Sequence, residues 1–395
     1  MTEARPLASA EVVEKLGDLA ARSGISRVNM LAWRDLDDPE AGGSEIHASS
    51  VAALWAEAGI EVTMRTSHAA GHPVVAWRQS YRVIRKAGRY MVFPRAALSE
   101  VMGWHGERDA LVEIWNGMPF FSPLWARGPR VTWLHHVHAG MWGMTLPPRL
   151  AAFGNAIESR IAPPIYRRSQ IVTLSDSSKR ELVESLRFKP ARVHVVPPGI
   201  DPRFSAGGVR SETPLVVAVG RLVPVKRFHL LIDALVEVKQ RHPELQAVIV
   251  GEGYEREGLE GMLRERRAER WIDLPGRLED DALVDLYRRA WVVTSASAHE
   301  GWGMTITEAA ACGTPAVATR IAGHADAIVE GRSGLLVDAP ELLAGAIERV
   351  VVDEVLRRRL GAGAVEHAAR FTWGATAVGT FDVLARQALH RRPTG

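Results

Sequence analysis

The chain has 395 residues, of which 47% are hydrophobic and 24% are charged. This length exceeds what one hydrophobic core usually supports, so the sequence predicts a globular protein of two domains. Lys and Arg number 49 against 46 Asp and Glu, a formal net charge of +3, which gives no general argument for a nucleic-acid partner.

Cysteine usage and hydropathy indicate a cytoplasmic protein. Cys312 is the one cysteine, so no intrachain disulfide can form and a reducing compartment is compatible with the sequence. No apolar run reaches the length of a transmembrane helix, and the N-terminus lacks the charged and hydrophobic segments of a signal peptide. We therefore expect the protein in the cytoplasm, with Cys312 as a small core residue.

The first half of the chain alternates between predicted strands and helices. A helix precedes Gly24, a strand covers residues 27–33, and a helix runs from about Glu45 to Ala58. Further strands are predicted at residues 61–66, 81–84, 110–115, 130–137, 170–175 and 192–196. Such alternation is typical of a parallel sheet with crossover helices.

The loop before the second helix carries Gly42 and Gly43. Backbone N–H groups at a helix start suit a diphosphate, or an acceptor that approaches it. Two glycines also make an ordinary turn in any βα unit, and the pair alone does not separate these interpretations. Asp35 and Asp37 in the same loop form an Asp-x-Asp, which we interpret as a polar turn and not as a metal site.

Three histidines follow the apolar run that ends at Leu134. Strand alternation places His136 and His138 on one side of the strand and His135 on the other. All three lie at the carboxyl edge, where open α/β sheets bind their ligands. A zinc site here would need a further ligand, and nothing nearby in the sequence supplies one. A structural role is the common alternative for a histidine at such a place.

The segment Pro197-Pro198-Gly199-Ile200-Asp201 indicates a linker. We place the domain boundary near Pro202, so that the first domain covers residues 1–201 and the second begins at residue 202. The first strand of the second domain, residues 215–219, ends in Gly220 and Arg221, with Lys226 five positions further on. Arg221 can fork onto phosphate oxygens and Lys226 supplies a point charge, so together they can neutralise a diphosphate. Two solvated surface cations are the alternative.

The next strand, residues 247–250, runs into a glycine turn that contains Gly253. Its glycines could admit a nucleotide. The turn lacks the third glycine of a dinucleotide fingerprint, however, and it does not follow the first strand of the domain. NAD binding is therefore not expected. Leu278 belongs to the loop Pro275-Gly276-Arg277-Leu278, which follows a further short strand.

The segment from His299 to Asp338 concentrates the candidate chemistry. A strand over residues 291–296 leads into Gly301, Gly303 and an Ala-rich helix, whose N–H groups and dipole favour a phosphate. Phosphate repels the neighbouring carboxylates of Glu300 and Glu308, so we expect these to accept hydrogen bonds from neutral hydroxyls, as on a ribose and a hexose. The ligand that this pattern describes is a sugar nucleotide.

Glu300, seven intervening residues, Glu308 and the following Cys312-Gly313-Thr314-Pro315 resemble the donor signature of glycosyltransferase family 4. The resemblance implies an α/β protein of the GT-B fold, with two Rossmann-like domains facing a cleft. It also implies that the second domain ends at about residue 375 and that a C-terminal helix, about 376–395, crosses back to the first domain.

The resemblance also implies roles for particular residues. Glu300 would contact the donor hexose, Glu308 the ribose hydroxyls, and Arg221 with Lys226 the diphosphate, as the family's Gly-Arg, four residues, Lys arrangement does. The family keeps a histidine near the hexose, and His135 fits that position best. Four of these residues, His135, Arg221, Lys226 and Glu300, are the catalytic candidates. The candidate donor-binding residues are Gly43, Gly220, Gly253, Leu278, Gly301, Trp302, Gly303, Met304, Thr305 and Glu308, and Gly42 and His138 are candidates for the sugar or acceptor.

Two residues depart from the family pattern. Trp302 stands where the family usually has Phe, which could reshape the hexose pocket. Arg227 follows Lys226 where the family usually has Gly, which bears on how closely the backbone approaches the phosphates.

The function implied is transfer of a hexosyl group, with retention, from a UDP- or GDP-linked sugar to a hydroxyl acceptor. No metal or other cofactor is expected, because Arg221, Lys226 and a helix N-terminus fill the role of a divalent ion. The alternatives are a nucleotide-sugar 2-epimerase of the same fold and a nucleotide-sugar-binding protein without turnover. The donor sugar and base, the acceptor and the oligomeric state are left open.

Basic residues form two clusters, which we expect to be solvated faces. Many relatives in the family glycosylate lipids at the cytoplasmic leaflet, so peripheral contact with the inner membrane face is kept as a hypothesis. The clusters are Arg82, Arg85, Lys86 and Arg89, and then Arg187, Lys189 and Arg192.

Overall fold

The computed structural model describes residues 9–104, 106–138, 141–145 and 147–391. The chain forms two compact units. The first unit consists of Met1–Gly199 together with Thr372–Gly395, and the second is Ile200–Phe371.

The first unit is built on an eight-stranded sheet of order β3-β4-β2-β1-β5-β6-β7-β8. Its strands are β1 (Arg27–Leu31), β2 (Glu61–Thr66), β3 (Val75–Arg78), β4 (Tyr81–Arg85), β5 (Ala110–Ile114), β6 (Arg130–Trp133), β7 (Gln170–Thr173) and β8 (Val193–Val195). Its helices are α1 (Ala10–Ser23), α2 (Gly43–Glu57), α3 (Val92–Val101), α4 (Ser122–Trp125), α5 (Trp142–Thr145), α6 (Pro148–Ala156), α7 (Ala162–Tyr166), α8 (Asp176–Ser185) and α16 (Trp373–Arg391).

The predicted parallel sheet is confirmed, with one addition at its edge. Every neighbouring pair is parallel except β3 and β4, which form an antiparallel hairpin. Gln79 and Ser80 make the turn of that hairpin at φ +43° and +71°, the left-handed geometry that two-residue hairpin turns require. Neither residue is a glycine, so the sequence did not reveal the hairpin.

Strand β6 ends at Trp133, four residues before the predicted end at Val137. Leu134 still donates to the carbonyl of Val172, but the backbone N–H of His138 donates to the carboxylate of Glu158. This side-chain acceptor replaces a strand partner. The histidines therefore lie in a loop beyond the strand and not within it.

The last helix belongs to the first unit, which confirms its predicted return. The indole Nε1 of Trp55 in α2 donates to the carbonyl of Ala377 in α16, at 3.0 Å. Gly374 packs so closely on α1 that a Cβ there would lie 2.7 Å from a methyl of Val12. The helix begins at Trp373, three residues before the predicted start.

The second unit has a six-stranded sheet of order β11-β10-β9-β12-β13-β14, parallel throughout. Its strands are β9 (Leu215–Val219), β10 (Gln246–Val250), β11 (Ile272–Gly276), β12 (Val292–Ser295), β13 (Ala316–Thr319) and β14 (Gly334–Val337). Its helices are α9 (Phe228–Arg241), α10 (Arg256–Glu265), α11 (Asp280–Arg289), α12 (Met304–Ala311), α13 (Ala322–Ala327), α14 (Leu343–Val352) and α15 (Glu354–Ala368). Apolar side chains cover both faces of this sheet, and Cys312 is buried among them, as expected.

The first predicted basic cluster is a solvated face only in part, because Lys86 is exposed whereas Arg85 and Arg89 are paired with acidic side chains. Arg85 is buried, and its guanidinium donates to the carboxylates of Asp35 and Asp37 and to the carbonyl of Pro73. Arg89 likewise pairs with acidic residues of the same loop. The expectation was wrong for these two arginines because they lie opposite the acidic loop after β1. Asp35 and Asp37 act as partners of arginines, and so they are more than a turn.

Candidate functional site

The candidate donor site is built from loops that follow β9, β10 and β12. These strands are neighbours in a parallel sheet, so their carboxyl ends meet at one edge, where such sheets bind ligands. Two backbone hydrogen bonds join the loops: Leu222 donates to the carbonyl of Glu252, and Ala298 donates to that of Val225, each at 2.8 Å. The predicted residues on separate loops are thereby held together.

Glycines allow the first two loops to touch through their backbones. A Cβ at Gly253 would overlap the carbonyl of Leu222, and a Cβ at Gly251 would overlap that of Gly220. Gly251 also has φ +147°, a conformation that other residues rarely adopt. The predicted turn of Gly253 is therefore required by the packing of the loops, whatever ligand it meets. At Gly220, a Cβ would come within 3.2 Å of the Lys226 side chain.

Two of the catalytic candidates bind each other. Lys226 Nζ lies 2.5 Å from Oε1 of Glu300, and the hydroxyl of Ser297 donates to the same oxygen at 2.8 Å. Within the described residues, Oε2 of Glu300 has no partner. Burial alone would raise the pKa of Glu300, but Lys226, with help from His324 and Ser297, holds that pKa below its usual value. Glu300 is thus an ionised acceptor with one oxygen available to a ligand.

His324 and Gly323 support Glu300 from α13, and the sequence analysis missed both. His324 is buried, and its Nδ1 lies 2.8 Å from the carbonyl of Thr319, so that nitrogen carries the proton. Burial lowers the pKa of His324, although nearby Glu300 opposes the shift. A Cβ at Gly323 would collide with the carbonyl of Glu300. Strand β13, which precedes α13, ends at the same sheet edge. Its position was the sequence signal that could have identified Gly323 and His324.

Glu308 lies on α12 beside a buried tyrosine that the sequence analysis did not identify. The hydroxyl of Tyr287 is 3.4 Å from Oε2 of Glu308. Burial raises the pKa of Glu308 to about 8; the tyrosine's hydrogen bond opposes this shift, while the charges of Asp280 and Asp201 add to it. The side chain is therefore mostly protonated at neutral pH. A neutral acid can both donate to and accept from a pair of hydroxyls.

The turn between the two glutamates leads directly into α12. Gly303 is its N-terminal cap, and a Cβ there would lie 3.1 Å from Ile306. Trp302 is buried, and its ring meets the ring of Phe371 edge to face, with centroids 5.1 Å apart. No described residue accepts a hydrogen bond from its indole Nε1. The remaining candidates on this turn and beside it are Gly301, which is buried, and Met304, Thr305 and Leu278, which are half-exposed.

The two cations after β9 differ in their surroundings. Arg221 is exposed and its side chain makes no hydrogen bond or ion pair within the described part of the chain, whereas Lys226 is half-buried against Glu300. Arg227 adopts φ +51° and ψ +41°, the left-handed region, as the residue that caps α9. This conformation explains why glycine suits the position in the family pattern. Arginine occupies it here at some cost in backbone energy.

In the first unit, His135 is buried against another histidine. Its Nε2 lies 3.0 Å from Nδ1 of His47, a residue of α2. Burial, with a smaller contribution from His138, lowers the pKa of His135 to about 4, so its ring is neutral at physiological pH. His47 was not predicted, because a histidine within an apolar helix gives no signal of its partner.

His138 joins the loop after β6 to the start of α2. Its Nδ1 lies 3.2 Å from Glu158 and its Nε2 lies 3.0 Å from Oδ1 of Asn116. The amide of Asn116 in turn donates to Ser44, at 3.1 Å, which directly follows the glycine pair. The structure thus brings His138 and the Gly42–Gly43 loop together.

Gly42 caps α2, and its N–H donates to Glu45 at 2.8 Å. The next residue, Gly43, is the first of the helix. Across the described ranges, no three His, Cys, Asp or Glu side chains are grouped so as to hold a metal ion.

Two family models match the chain. The model described as "Glycosyltransferase Family 4" matches residues 41–204, and the model described as "Glycosyl transferases group 1" matches residues 201–367.

Curated relatives carry the name D-inositol 3-phosphate glycosyltransferase. The protein from Corynebacterium jeikeium is 34% identical over 229 residues, which are 52% of this chain and 55% of the relative. The protein from Acidothermus cellulolyticus is 36% identical over 59% of this chain and 56% of its own length. In these two alignments the chain spans about half the length of the relative. The alignment with the protein from Thermobispora bispora, at 29% identity, covers 94% of this chain and 98% of that relative.

Solved structures share the fold. Sucrose-phosphate synthase from Thermosynechococcus elongatus superimposes with a TM-score of 0.80 at 20% identity, over 93% of this chain and 100% of that chain. WaaG, a glycosyltransferase involved in lipopolysaccharide biosynthesis, gives 0.72 at 17% identity over 90% and 99%. Anabaena Alr3699/HepE, solved in complex with UDP and glucose, gives 0.71 at 18% identity over 93% and 100%. The predicted GT-B fold is confirmed.

Proposed function

The chain belongs to glycosyltransferase family 4, and from that premise we propose that it transfers a hexosyl group from a UDP- or GDP-linked sugar to a hydroxyl acceptor. The observation that carries the proposal is the cluster at the carboxyl edge of the second sheet. There Glu300, paired with Lys226 through one oxygen, offers its other oxygen to a ligand. Glu308 stands one helix turn into α12 with Tyr287 behind it.

In this proposal the donor spans the start of α12. The hexose hydroxyls bind Glu300, the diphosphate meets Arg221, Lys226 and the N–H groups near Gly303, and the ribose hydroxyls bind Glu308. This assignment separates the carboxylates from the phosphates, because each glutamate meets neutral hydroxyls. A thermal-shift panel of UDP-glucose, UDP-N-acetylglucosamine and GDP-mannose identifies the donor. If none of these sugar nucleotides changes the melting temperature while an unrelated nucleotide does, this assignment is contradicted.

For the acceptor, we propose D-inositol 3-phosphate as the first compound to test, since the curated relatives carry that name. Sugar phosphates, lipids and aglycones form the comparison set. Mass spectrometry of the products reports a hexosyl adduct directly. A hexosyl adduct that forms only on another acceptor would support the transferase activity and exclude D-inositol 3-phosphate as the acceptor.

The proposed chemistry is retention by attack on one face of the sugar. The bond from the anomeric carbon to the phosphate oxygen breaks while the bond to the acceptor oxygen forms, and the leaving phosphate takes the acceptor's proton. Arg221 and Lys226 stabilise the negative charge that grows on the diphosphate. With a gluco-configured α-linked donor, anomeric proton couplings in an NMR time course should show an α-linked first product. A β-linked first product would refute the assignment.

Metal independence is part of the proposal, because in it Arg221, Lys226 and the N-terminus of α12 supply the positive charge that a divalent ion would otherwise supply to the diphosphate. The rate should be the same with EDTA as without it. A rate that EDTA abolishes and manganese or magnesium restores would contradict this part of the proposal.

Peripheral membrane contact is supported by exposed aromatic side chains of the first unit, on β3 and on the residues that flank α3. Trp77 is 71% exposed, Tyr90 76% and Trp104 59%, and aromatic side chains of this kind favour membrane interfaces. Lys86 and Arg95, which line one cavity of about 470 Å³, supply charge for anionic lipids. Of the helices in the described ranges, none has the length and apolar character to span a bilayer.

Co-sedimentation with vesicles tests this contact. Phosphatidylglycerol vesicles should retain the protein and phosphatidylcholine vesicles should not, and Trp77→Ser should weaken retention. Equal retention by both kinds of vesicle, or by neither, would contradict the proposed contact.

Two other functions remain as outcomes of these assays. An epimerase would change the donor sugar when no acceptor is present, and product analysis of that mixture detects it. A binding protein without turnover would bind the donor by calorimetry and release no free nucleotide with any acceptor or with water.

A further inference from the structure

Helix α2 buries a histidine whose surroundings fix its ring. His47 is 1% exposed. Its ring stacks on Trp133 with centroids 4.6 Å apart and an interplanar angle of 13°, and on Trp373 at 5.9 Å and 25°. Its Nδ1 lies 3.0 Å from Nε2 of His135. The two indoles set the plane of the ring, and the hydrogen bond sets its rotation within that plane.

The two histidines share a single proton along this hydrogen bond. Burial lowers the pKa of His47 well below its usual value and that of His135 to about 4, so both rings are neutral near pH 7. A neutral imidazole has one N–H and one acceptor nitrogen. One ring therefore donates in this hydrogen bond and the other accepts. Which ring donates depends on the surroundings of the second nitrogen of each ring.

The environment of His47 Nε2 settles the direction. That atom is buried and has no hydrogen-bond partner among the described residues. If it carried the proton, the core would contain an orphaned N–H, which folded proteins rarely tolerate. The proton of His47 therefore sits on Nδ1 and is donated to Nε2 of His135. The proton of His135 must then sit on its own Nδ1.

We propose that His47 is a positioning residue that holds His135 in the tautomer protonated on Nδ1. This inference rests on the proposed function and on the role near the hexose that the family resemblance implies for His135. In that tautomer Nε2 is occupied by His47, and Nδ1 can give a hydrogen bond to a sugar oxygen but cannot accept a proton. The acceptor's proton is then left to the departing phosphate oxygen, which is the route that same-face attack requires.

Two substitutions of nearly equal size separate the hydrogen bond from the packing. The amide nitrogen of His47→Asn lies near the place of Nδ1 and can donate to His135. His47→Leu has a similar shape but no donor. Both variants lose the stacking on Trp133 and Trp373 to a similar extent, so a difference between them reports the hydrogen bond.

Nitrogen NMR of the full chain labelled with ¹⁵N-histidine reads the tautomer, and His135→Asn identifies the signals. We expect the wild-type His135 to be protonated on Nδ1 at pH 7. In His47→Leu a population protonated on Nε2 should appear, and kcat should fall by about tenfold, the upper range for one neutral hydrogen bond, with KM for the donor unchanged. His47→Asn should keep the wild-type tautomer and most of kcat.

Several outcomes would overturn the proposal. A wild-type His135 protonated on Nε2 would do so without any variant, so a failure of His47→Leu to fold leaves the test intact. Equal kcat values for the Asn and Leu variants would remove the positioning role. If the wild-type protein gives no product with any donor, the proposed function fails, while the NMR spectrum still decides the tautomer.

Discussion

Replacing Glu308 with Gln should stabilise the folded chain at alkaline pH. Burial raises the pKa of Glu308 from 4.5 to about 8. Between these two pH values the folded chain holds more protons than the unfolded chain, so the free energy of unfolding falls as the pH rises through this window. Glutamine has the same shape and no charge, and its variant should not show that fall.

The size of this change in stability follows from the difference between the pKa of Glu308 in the folded chain and in the unfolded chain. A difference of about 3.5 pH units corresponds to roughly 5 kcal/mol above pH 8 for a wholly desolvated group. Glu308 keeps part of its surface in solvent, which screens its charge, so about 2 kcal/mol is a more suitable expectation. For a unit of this size, that gain corresponds to a rise in Tm of about 4 to 8 °C.

Thermal melts of the wild type and of Glu308→Gln at pH 4 and pH 9 measure this effect. The two proteins should melt together at pH 4, where Glu308 is protonated in both the folded and the unfolded chain, and the variant should melt higher at pH 9. Glu212→Gln, on an exposed loop of the same unit, is the control and should show no such divergence. If the Tm difference between Glu308→Gln and wild type is the same at both pH values, Glu308 is not protonated in the folded chain and the reasoning fails.

Three further substitutions test other parts of the molecule. Arg221→Ala should lower kcat by about a hundredfold with a smaller effect on donor affinity, because the diphosphate gains charge in the transition state. Steady-state kinetics measure kcat and calorimetry measures donor affinity. A fall in affinity as large as the fall in kcat would contradict this prediction. Arg227→Gly should raise Tm by 1 to 3 °C, since about 0.5 to 1 kcal/mol of left-handed strain is relieved; Arg227→Ala is the control, and an equal rise there would point to the lost charge and not to the strain. Arg85→Leu should cost about 3 kcal/mol of stability, because Asp35 is left buried without its partner; a denaturant midpoint equal to that of wild type would show that this ion pair contributes nothing.

The architecture could be predicted because its signals are local and repeated. Short Val-rich runs separated by amphipathic helices require a parallel sheet, and each of the predicted strands is present. The hairpin of β3 was missed because Gln79 and Ser80 carry out a turn that sequence patterns associate with Asn and Gly. The early end of β6 depends on the Glu158 carboxylate, twenty residues further along the chain, and no local pattern indicates such a partner.

The candidate site likewise contains some residues that the sequence predicted and others that it did not. Gly253, Lys226 and Glu300 stand at strand ends, where the sequence alone indicates a shared edge. His324 beside Glu300 and Tyr287 beside Glu308 come from helices that pack there only after the fold is complete. The raised pKa of Glu308 was likewise not foreseen, because the shift from the usual value depends on burial and on neighbouring charges that residue type does not reveal.

The hydrogen bond between Lys226 and Glu300 links the two halves of the proposed donor site. Lys226 has three donor hydrogens, so its bond to Glu300 leaves two for phosphate oxygens. Glu300 accepts hydrogen bonds from Lys226 and Ser297 on Oε1, which leaves Oε2 for the hexose in the proposed donor site. If the donor binds as proposed, negative charge that grows on the diphosphate during transfer would draw Lys226 away from Glu300 and leave that carboxylate to bind the sugar hydroxyls more strongly. Under this proposal, recognition of the sugar and stabilisation of the leaving group are coupled through one ion pair, and a double-mutant cycle between Lys226 and Glu300 should be strongly non-additive in kcat.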